Sequence, residues 1–214
     1  MHEEQRKENF LRLERELRAK GYKLVAGVDE AGRGPLAGPV TAAACILPEE
    51  FDLPGLDDSK KLTEKKREYL ADLIKEQAVA YCVASASHLE IDRLNILNAS
   101  KLAMKRALAG LSIAPNYALV DGRDKLDISL EHRAVIGGDR LCACIAAASI
   151  LAKVDRDRYM YELHELYPVY NFDRHKGYPT RSHFEALEKY GPCPVHRRSF
   201  SPVKEMTASE EELA

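Results

Sequence analysis

Five short apolar runs break the polar background of the chain, and all but the third end at glycine, proline or a carboxylate. Residues 22–28, 40–47, 78–86, 116–120 and 133–136 are rich in Val, Ala, Tyr, Cys and Ile, the content of half-buried or fully buried strands. Between them the apolar positions recur at helical spacing. Residues 3–20 place Phe10, Leu13 and Leu17 on one stripe, with Glu8–Arg12, Glu14–Arg18 and Glu16–Lys20 four apart and Gly21 as a stop. Thr63 is placed to cap a helix that turns Tyr69, Leu70, Leu73 and Ile74 inward. Residues 91–110 read as one helix with Leu94, Leu97, Met104 and Leu108 on a face. Residues 141–166 read as an alanine-rich buried helix that becomes polar toward its end. Ser182 to Glu185 has the form of a capping box, and Tyr190, Gly191 and Pro192 close that helix. Strands alternating with helices in this way define an α/β domain.

The 214 residues suit one such domain, with enough chain for a full core. No apolar run approaches the length of a membrane span, and the N-terminus is too charged for a secretory signal. Five cysteines, an odd number placed mostly inside apolar runs, point to reduced core thiols and a cytoplasmic protein. Cys142, Cys144, Cys193 and His196 do not have a zinc spacing. A net charge of −2 does not advertise a polyanion ligand, but charge is uneven. Between residues 171 and 200, Arg174, Lys176, Arg181, Lys189, Arg197 and Arg198 stand against Asp173, Glu185 and Glu188, with His175, His183 and His196 among them. A basic face of this kind fits a nucleic-acid footprint or an ordinary solvated surface.

The chemistry-bearing stretch is residues 25–39, an apolar strand that delivers Asp29 and Glu30 into a turn holding Gly32, Arg33, Gly34, Pro35, Gly38 and Pro39. Gly32-x-Gly34-x-x-Ala37 imitates a dinucleotide fingerprint, yet that motif needs a helix directly after the glycines. Prolines and a strand-like run follow here, and two carboxylates would repel a pyrophosphate. Asp121 ends the run 116–120 beside Gly122, and Asp139 follows Gly137 and Gly138 after the run 133–136. Four acids at strand ends, without histidine or cysteine among them, form an all-oxygen donor set suited to Mg²⁺ or Mn²⁺. One or two such ions promote phosphodiester hydrolysis by activating water and stabilising the leaving oxygen. Neighbours on a strand point to opposite faces, so Asp29 and Glu30 share a site only where the strand bends or ends. Lys60, just ahead of the Thr63 cap, suits a phosphate contact or plain solvation. Tyr178, in the basic loop 174–180, suits stacking on a base or sugar as well as packing. Asp155 and Asp157 lie among Lys153, Arg156 and Arg158, where ion pairing accounts for them.

These residues resemble bacterial ribonuclease HII, the type 2 ribonuclease H family. The resemblance is carried by residues 29–39, by Asp58-Ser59-Lys60-Lys61-Leu62, by Val120-Asp121-Gly122, and by Gly138-Asp139 followed by residues 145–154. Residues 156–158, 175–178 and 196–200 complete it. It implies a ribonuclease H-like fold, with a five-stranded mixed sheet flanked by helices and a C-terminal helical extension. The resemblance covers a catalytic domain at 22–203 whose helical part begins near 160; outside it the residues themselves read as a helix at 1–21 and an unstructured acidic tail at 204–214. It further implies an endoribonuclease that cuts RNA paired with DNA and nicks duplex DNA on the 5′ side of an embedded ribonucleotide. Asp29, Glu30, Asp121 and Asp139 take the catalytic and metal positions. Gly32, Arg33 and Gly34 take the element that reads the 2′-hydroxyl, and Tyr178 takes the junction-sensing tyrosine; the 2′-hydroxyl is what separates RNA from DNA at a site. Expected partners are RNA–DNA hybrids and ribonucleotide-containing duplexes, met by a monomer that a replication or repair factor recruits and no membrane binds. Asp155 is an acid that the family pattern lacks.

Overall fold

The computed structural model describes residues 10–57 and 59–211, with side chains described as far as residue 207. Residues 3–9 of the expected N-terminal helix, the Glu8–Arg12 pair and Asp58 fall outside that range. In chain order the elements are α1 (Arg12–Ala19), β1 (Val25–Ala31), β2 (Val40–Ile46), α2 (Glu64–Gln77), β3 (Ala80–Ala86), α3 (His88–Leu94) and α4 (Ile96–Ala109). They continue with β4 (Tyr117–Asp121), β5 (His132–Val135), α5 (Ala143–Leu166), the single turn α6 (Phe172–His175), α7 (Arg181–Tyr190) and α8 (Val203–Glu211). Short 3₁₀ turns lie at Ser59–Lys61, Gly138–Arg140 and Pro168–Tyr170.

The strands form one mixed sheet in the order β3-β2-β1-β4-β5. β1, β2 and β3 are antiparallel neighbours, whereas β4 and β5 run parallel to β1. Alternate residues of each strand feed opposite faces. Ala26, Val28, Ala42, Ala44 and Val120 pack with Ile91, Ala103 and Met104 of α3 and α4. Ala43 and Cys45 pack with Leu70 and Ile74 of α2 and with Ala147 and Leu151 of α5. α5 lies so close to β1 that a Cβ on Gly27 would sit 2.1 Å from the Cys144 carbonyl carbon. Overpacking of that kind typically costs about 1–3 kcal/mol, so Gly27 and the small residues of α5 set the distance between helix and sheet. A third cluster, with Met160, Leu163, Phe172, Leu187 and Val203, builds the C-terminal helical part and takes in Leu36 and Ala37 from the glycine loop.

The elements depart from the sequence expectations in three places. The helix expected over 91–110 is two helices, because Asn95 takes a positive φ of 66° and its side chain accepts from the Asn98 amide to start α4. The cap of α7 is Thr180, which accepts from the His183 amide, while Glu185 pairs with Arg181 and forms no capping box with Ser182. The acidic tail is helical over Val203–Glu211: Val203 is fully buried and the Thr207 hydroxyl donates to the Val203 carbonyl. Residues 212–214 lie outside the described range. Among the described residues no helix is long and apolar enough to cross a membrane.

Candidate active site

The acids collect where the β1–β4 ladder stops. Its last rung is Val28↔Val120, so Asp29 and Glu30 are laddered only to β2, and Asp121 ends β4 at the same edge. The strand need not terminate at Asp29; losing one of its two neighbours is enough to let Glu30 share the edge. Asp29 is buried, and its Oδ1 accepts the Glu30 amide at 2.7 Å. Asp121 Oδ1 accepts the Gly138 amide at 2.7 Å, which draws the turn carrying Asp139 onto the end of β4. Asp139 is also buried, with Lys60 Nζ at 3.4 Å and Arg140 Nε at 3.9 Å.

Electrostatics tie the acids together. Burial, then the charges of Glu30 and Asp121, push the Asp29 carboxyl well above the usual carboxylate range, against a hydrogen bond from Ser149. Burial also raises Glu30, with Asp121 adding to it and Arg33 opposing it from 3.3 Å. Glu30 and Asp121 thus both disfavour the charge on Asp29, and their donors are all oxygen. A hard divalent cation fits this set, since it supplies the positive charge that the protein provides only in part through Arg33 and Lys60. Among the described residues no three His, Cys, Asp or Glu side chains are already drawn to ligating distance. Their oxygens are engaged instead by the Glu30 and Gly138 amides, by Ser149 and by cations that include Arg33, Lys60 and Arg140.

Beside the acids, the loop at 32–39 is sewn to the C-terminal part. The Leu36 amide donates to Gly177 O, the Arg197 amide to Leu36 O and the Gly38 amide to Val195 O, and Ala37 bridges His196. Two arginines pass beneath it. Arg197 donates from Nη2 to Gly32 O at 2.6 Å and Pro39 O at 3.1 Å, from Nη1 to Arg33 O at 2.9 Å, and from Nε to Gly38 O at 3.0 Å. Arg156 donates to the carbonyls of Ala37, Pro39 and Lys176 at 3.3, 3.0 and 3.1 Å. Burial pulls the Arg197 guanidinium down to about 9 and that of Arg156 to about 10, so both remain charged at neutral pH. Gly32, at φ 93°, leaves room for this: a Cβ there would meet Arg156 Nε at 1.9 Å. The missing side chain of Gly34 faces the other way, with the Tyr178 ring 3.5 Å from where its Cβ would lie.

The structure thus brings Asp29, Glu30, Asp121 and Asp139 to one sheet edge, with Lys60 against Asp139 and Tyr178 against the glycine loop. Tyr178 is 40% exposed, more a surface ring than a core one. The expected basic face is thinner than the charge count suggested. Arg197, Lys176, His183 and His196 are buried, leaving Arg174, Arg181, Lys189 and Arg198 on the surface. Asp157 is buried in ion pairs with Lys153 at 2.6 Å and Arg67 at 3.7 Å, whereas Asp155 is exposed. Sequence reasoning missed Arg156, Arg197 and Ser149. Ser149 bonds both Asp29 and Ser59 Oγ, the latter at 2.7 Å, and so joins the acid to the turn that carries Lys60. The one signal for it was a lone hydroxyl inside an alanine run.

Comparison with known proteins gives a consistent picture. The family model described as ribonuclease HII matches residues 26–203. A ribonuclease HII from Desulfitobacterium hafniense is 57% identical over 203 residues, which cover 95% of this chain and 78% of that one. The crystal structure of ribonuclease H2 from Pyrococcus horikoshii has a TM-score of 0.74 and 28% identity, covering 88% of this chain and 99% of that one. A ribonuclease HII solved in complex with PCNA, from Archaeoglobus fulgidus, has a TM-score of 0.71 and 27% identity, covering 83% of this chain and 95% of that one.

Proposed function

The chain belongs to the ribonuclease HII family, and from that premise we propose how its own residues perform the reaction. It is an endoribonuclease that hydrolyses the RNA strand of RNA–DNA hybrids and nicks duplex DNA on the 5′ side of an embedded ribonucleotide, leaving 3′-hydroxyl and 5′-phosphate ends. The observation that carries the reading is the mutual repulsion of Asp29, Glu30 and Asp121 at a sheet edge that also borders the glycine loop.

Asp29, Glu30, Asp121 and Asp139 are the groups that would hold Mn²⁺ or Mg²⁺, as one ion or two. When bound, the metal supplies Lewis-acid stabilisation of the phosphate and a more acidic water. The protein does the rest. Arg33, half exposed and tethered to Glu30, faces the scissile phosphate as a cation, and Lys60 does the same from the Asp139 side. Gly32, Arg33 and Gly34 offer main chain to the 2′-hydroxyl, and Tyr178 stacks at the junction between ribose and deoxyribose. The exposed Arg174, Arg181 and Arg198 add sequence-independent attraction to the duplex. The Archaeoglobus relative was solved with PCNA, and we extend that to recruitment of this chain by a replication or repair factor in the cytoplasm, where it acts as a monomer.

The test is a DNA duplex with one ribonucleotide. Nicking on its 5′ side with Mn²⁺ or Mg²⁺, lost on chelation and absent from the all-DNA duplex, is the expected result. Equal cutting of both duplexes, or of neither, would sink the proposal.

A further inference from the structure

Arg156 and Arg197 are nearly solvent-free, and among the described residues neither lies in ion-pair contact with a carboxylate. A buried cation without a counter-ion is expensive, and apolar side chains would hold a loop at less cost. What the guanidinium offers instead is a rigid planar fork of donors, which fixes several carbonyls at defined angles to one another. Arg197 fixes Gly32, Arg33, Gly38 and Pro39; Arg156 fixes Ala37, Pro39 and, from the other segment, Lys176.

The consequence lies on the opposite side of each peptide. In a trans peptide the C=O and the following N–H point in opposite directions. The Gly32 and Arg33 carbonyls point inward to Arg197, so the Arg33 and Gly34 amides point outward. Neither amide donates to another described residue. They face the surface that carries the Arg33 side chain and the Tyr178 ring. The Lys176 carbonyl held by Arg156 lies two residues from Tyr178, so the same pair of clamps sets the spacing between those amides and the aromatic ring.

Resting on the nuclease reading above, we propose that Arg197 and Arg156 are specificity-positioning residues: acting only through the loop, they present the Arg33 and Gly34 amides to the ribose hydroxyl and adjoining phosphate. Gly32 then serves the clamp and Gly34 the substrate, a division of labour within one short motif.

Arg197→Lys and Arg156→Lys test this, because an ammonium keeps the charge but cannot span the carbonyls. Affinities for a one-ribonucleotide duplex and for the matching all-DNA duplex are measured in an Asp29→Asn background, alongside thermal denaturation. The expected result is a folded variant whose ribonucleotide preference falls about tenfold or more, while its affinity for all-DNA duplex changes less than about twofold. In Arg197→Ala, millimolar guanidinium restores the preference and KCl at equal ionic strength does not. Unchanged preference in the lysine variants, or an equal loss on both duplexes, would overturn the proposal. If neither variant folds, backbone amide resonances of the wild type decide. Shifts at Arg33 and Gly34 on adding the ribonucleotide duplex but not the all-DNA duplex, together with Arg156 and Arg197 guanidinium protons that stay protected from exchange in the complex, uphold it, and the absence of either overturns it. A wild type that cuts neither duplex would refute the nuclease reading itself, a separate outcome.

Discussion

On the proposed reading, Asp29 is where the protein trades stability for chemistry. Its carboxyl is buried beside two others, and the Glu30 amide and the Ser149 hydroxyl only partly offset the repulsion. Asp29→Asn removes a charge yet keeps an oxygen for the amide. It should abolish nicking while raising the melting temperature in chelator, by an amount worth about 1–3 kcal/mol. Mn²⁺ should then raise the melting temperature of the wild type far more than that of the variant, since a ligand that binds only the folded state stabilises it by mass action. A destabilised Asp29→Asn would show instead that its hydrogen bonds outweigh the repulsion. Tyr178 presents the converse case. Its ring is largely on the surface, while its carbonyl is held by His183 Nδ1 at 3.0 Å. Tyr178→Ala leaves that carbonyl in place, so stability should change by no more than about 1 kcal/mol. Preference for the ribonucleotide junction, measured as the kcat/KM ratio of one-ribonucleotide duplex to long hybrid, should drop. An unchanged ratio would return Tyr178 to a packing role.

Among the elements, α5 does most to place the site, and its start is secured from far away in the chain. Cys142 precedes it in extended conformation without a capping side chain. Glu14 of α1 supplies the missing acceptor, with Oε1 taking the Cys144 amide at 2.9 Å. Burial raises the Glu14 carboxyl above its usual range although the helix N-terminus favours its charge. Glu14→Ala should therefore cost about 1–3 kcal/mol in denaturant midpoint, and Glu14→Gln, which keeps the acceptor without the buried charge, should recover most of it. Equal losses in both would mean that the charge matters more than the hydrogen bond. Glu14 also shows where the sequence stops being legible. The five strands and most helices lie within a few residues of their expected places, because period and punctuation are local properties. Asn95 and Val203 went unread as boundaries because a positive φ and packing decide them, whereas Thr180 was passed over for the neighbouring Ser182, which has the same capping chemistry two residues on. The acids were legible since each ends an apolar run. Arg156 and Arg197 were not, because a guanidinium that serves carbonyls leaves no pattern and looks like one more charge in a basic stretch.

At the scale of the whole molecule, the site lies on the seam between the sheet and the C-terminal helices, and a chain of imidazoles keeps that seam in register. The Tyr178 carbonyl can only accept, so His183 donates from Nδ1 and its Nε2 accepts from His196 Nε2 at 3.0 Å. That leaves His196 Nδ1 to accept the Cys193 amide at 3.0 Å. His175 stacks on His183 with ring centroids 4.5 Å apart, and its Nδ1 accepts the Gly177 amide at 3.2 Å. This arrangement requires neutral rings, since a proton added to His183 or His196 would bring two N–H groups face to face. Burial, with the neighbouring histidines adding to it, pulls His183 down to about 4 and His196 to about 3 from an ordinary 6.5. Between those values and 6.5 the unfolded chain holds more protons than the folded one, so stability is lost as pH falls through the window. The slope approaches about 1.4 kcal/mol per pH unit for each histidine. Denaturant midpoints taken from pH 7 to pH 4.5 should therefore fall more steeply for the wild type than for His196→Gln, which starts lower but has one fewer histidine to protonate on unfolding. Because the folded rings stay neutral down to about pH 4, the chain of imidazoles that ends on the Tyr178 carbonyl stays intact over this interval, and ribonucleotide preference should hold for as long as the protein is folded. Parallel curves for the two proteins would show that carboxylates alone govern the acid response, and the histidines would then be ordinary packing.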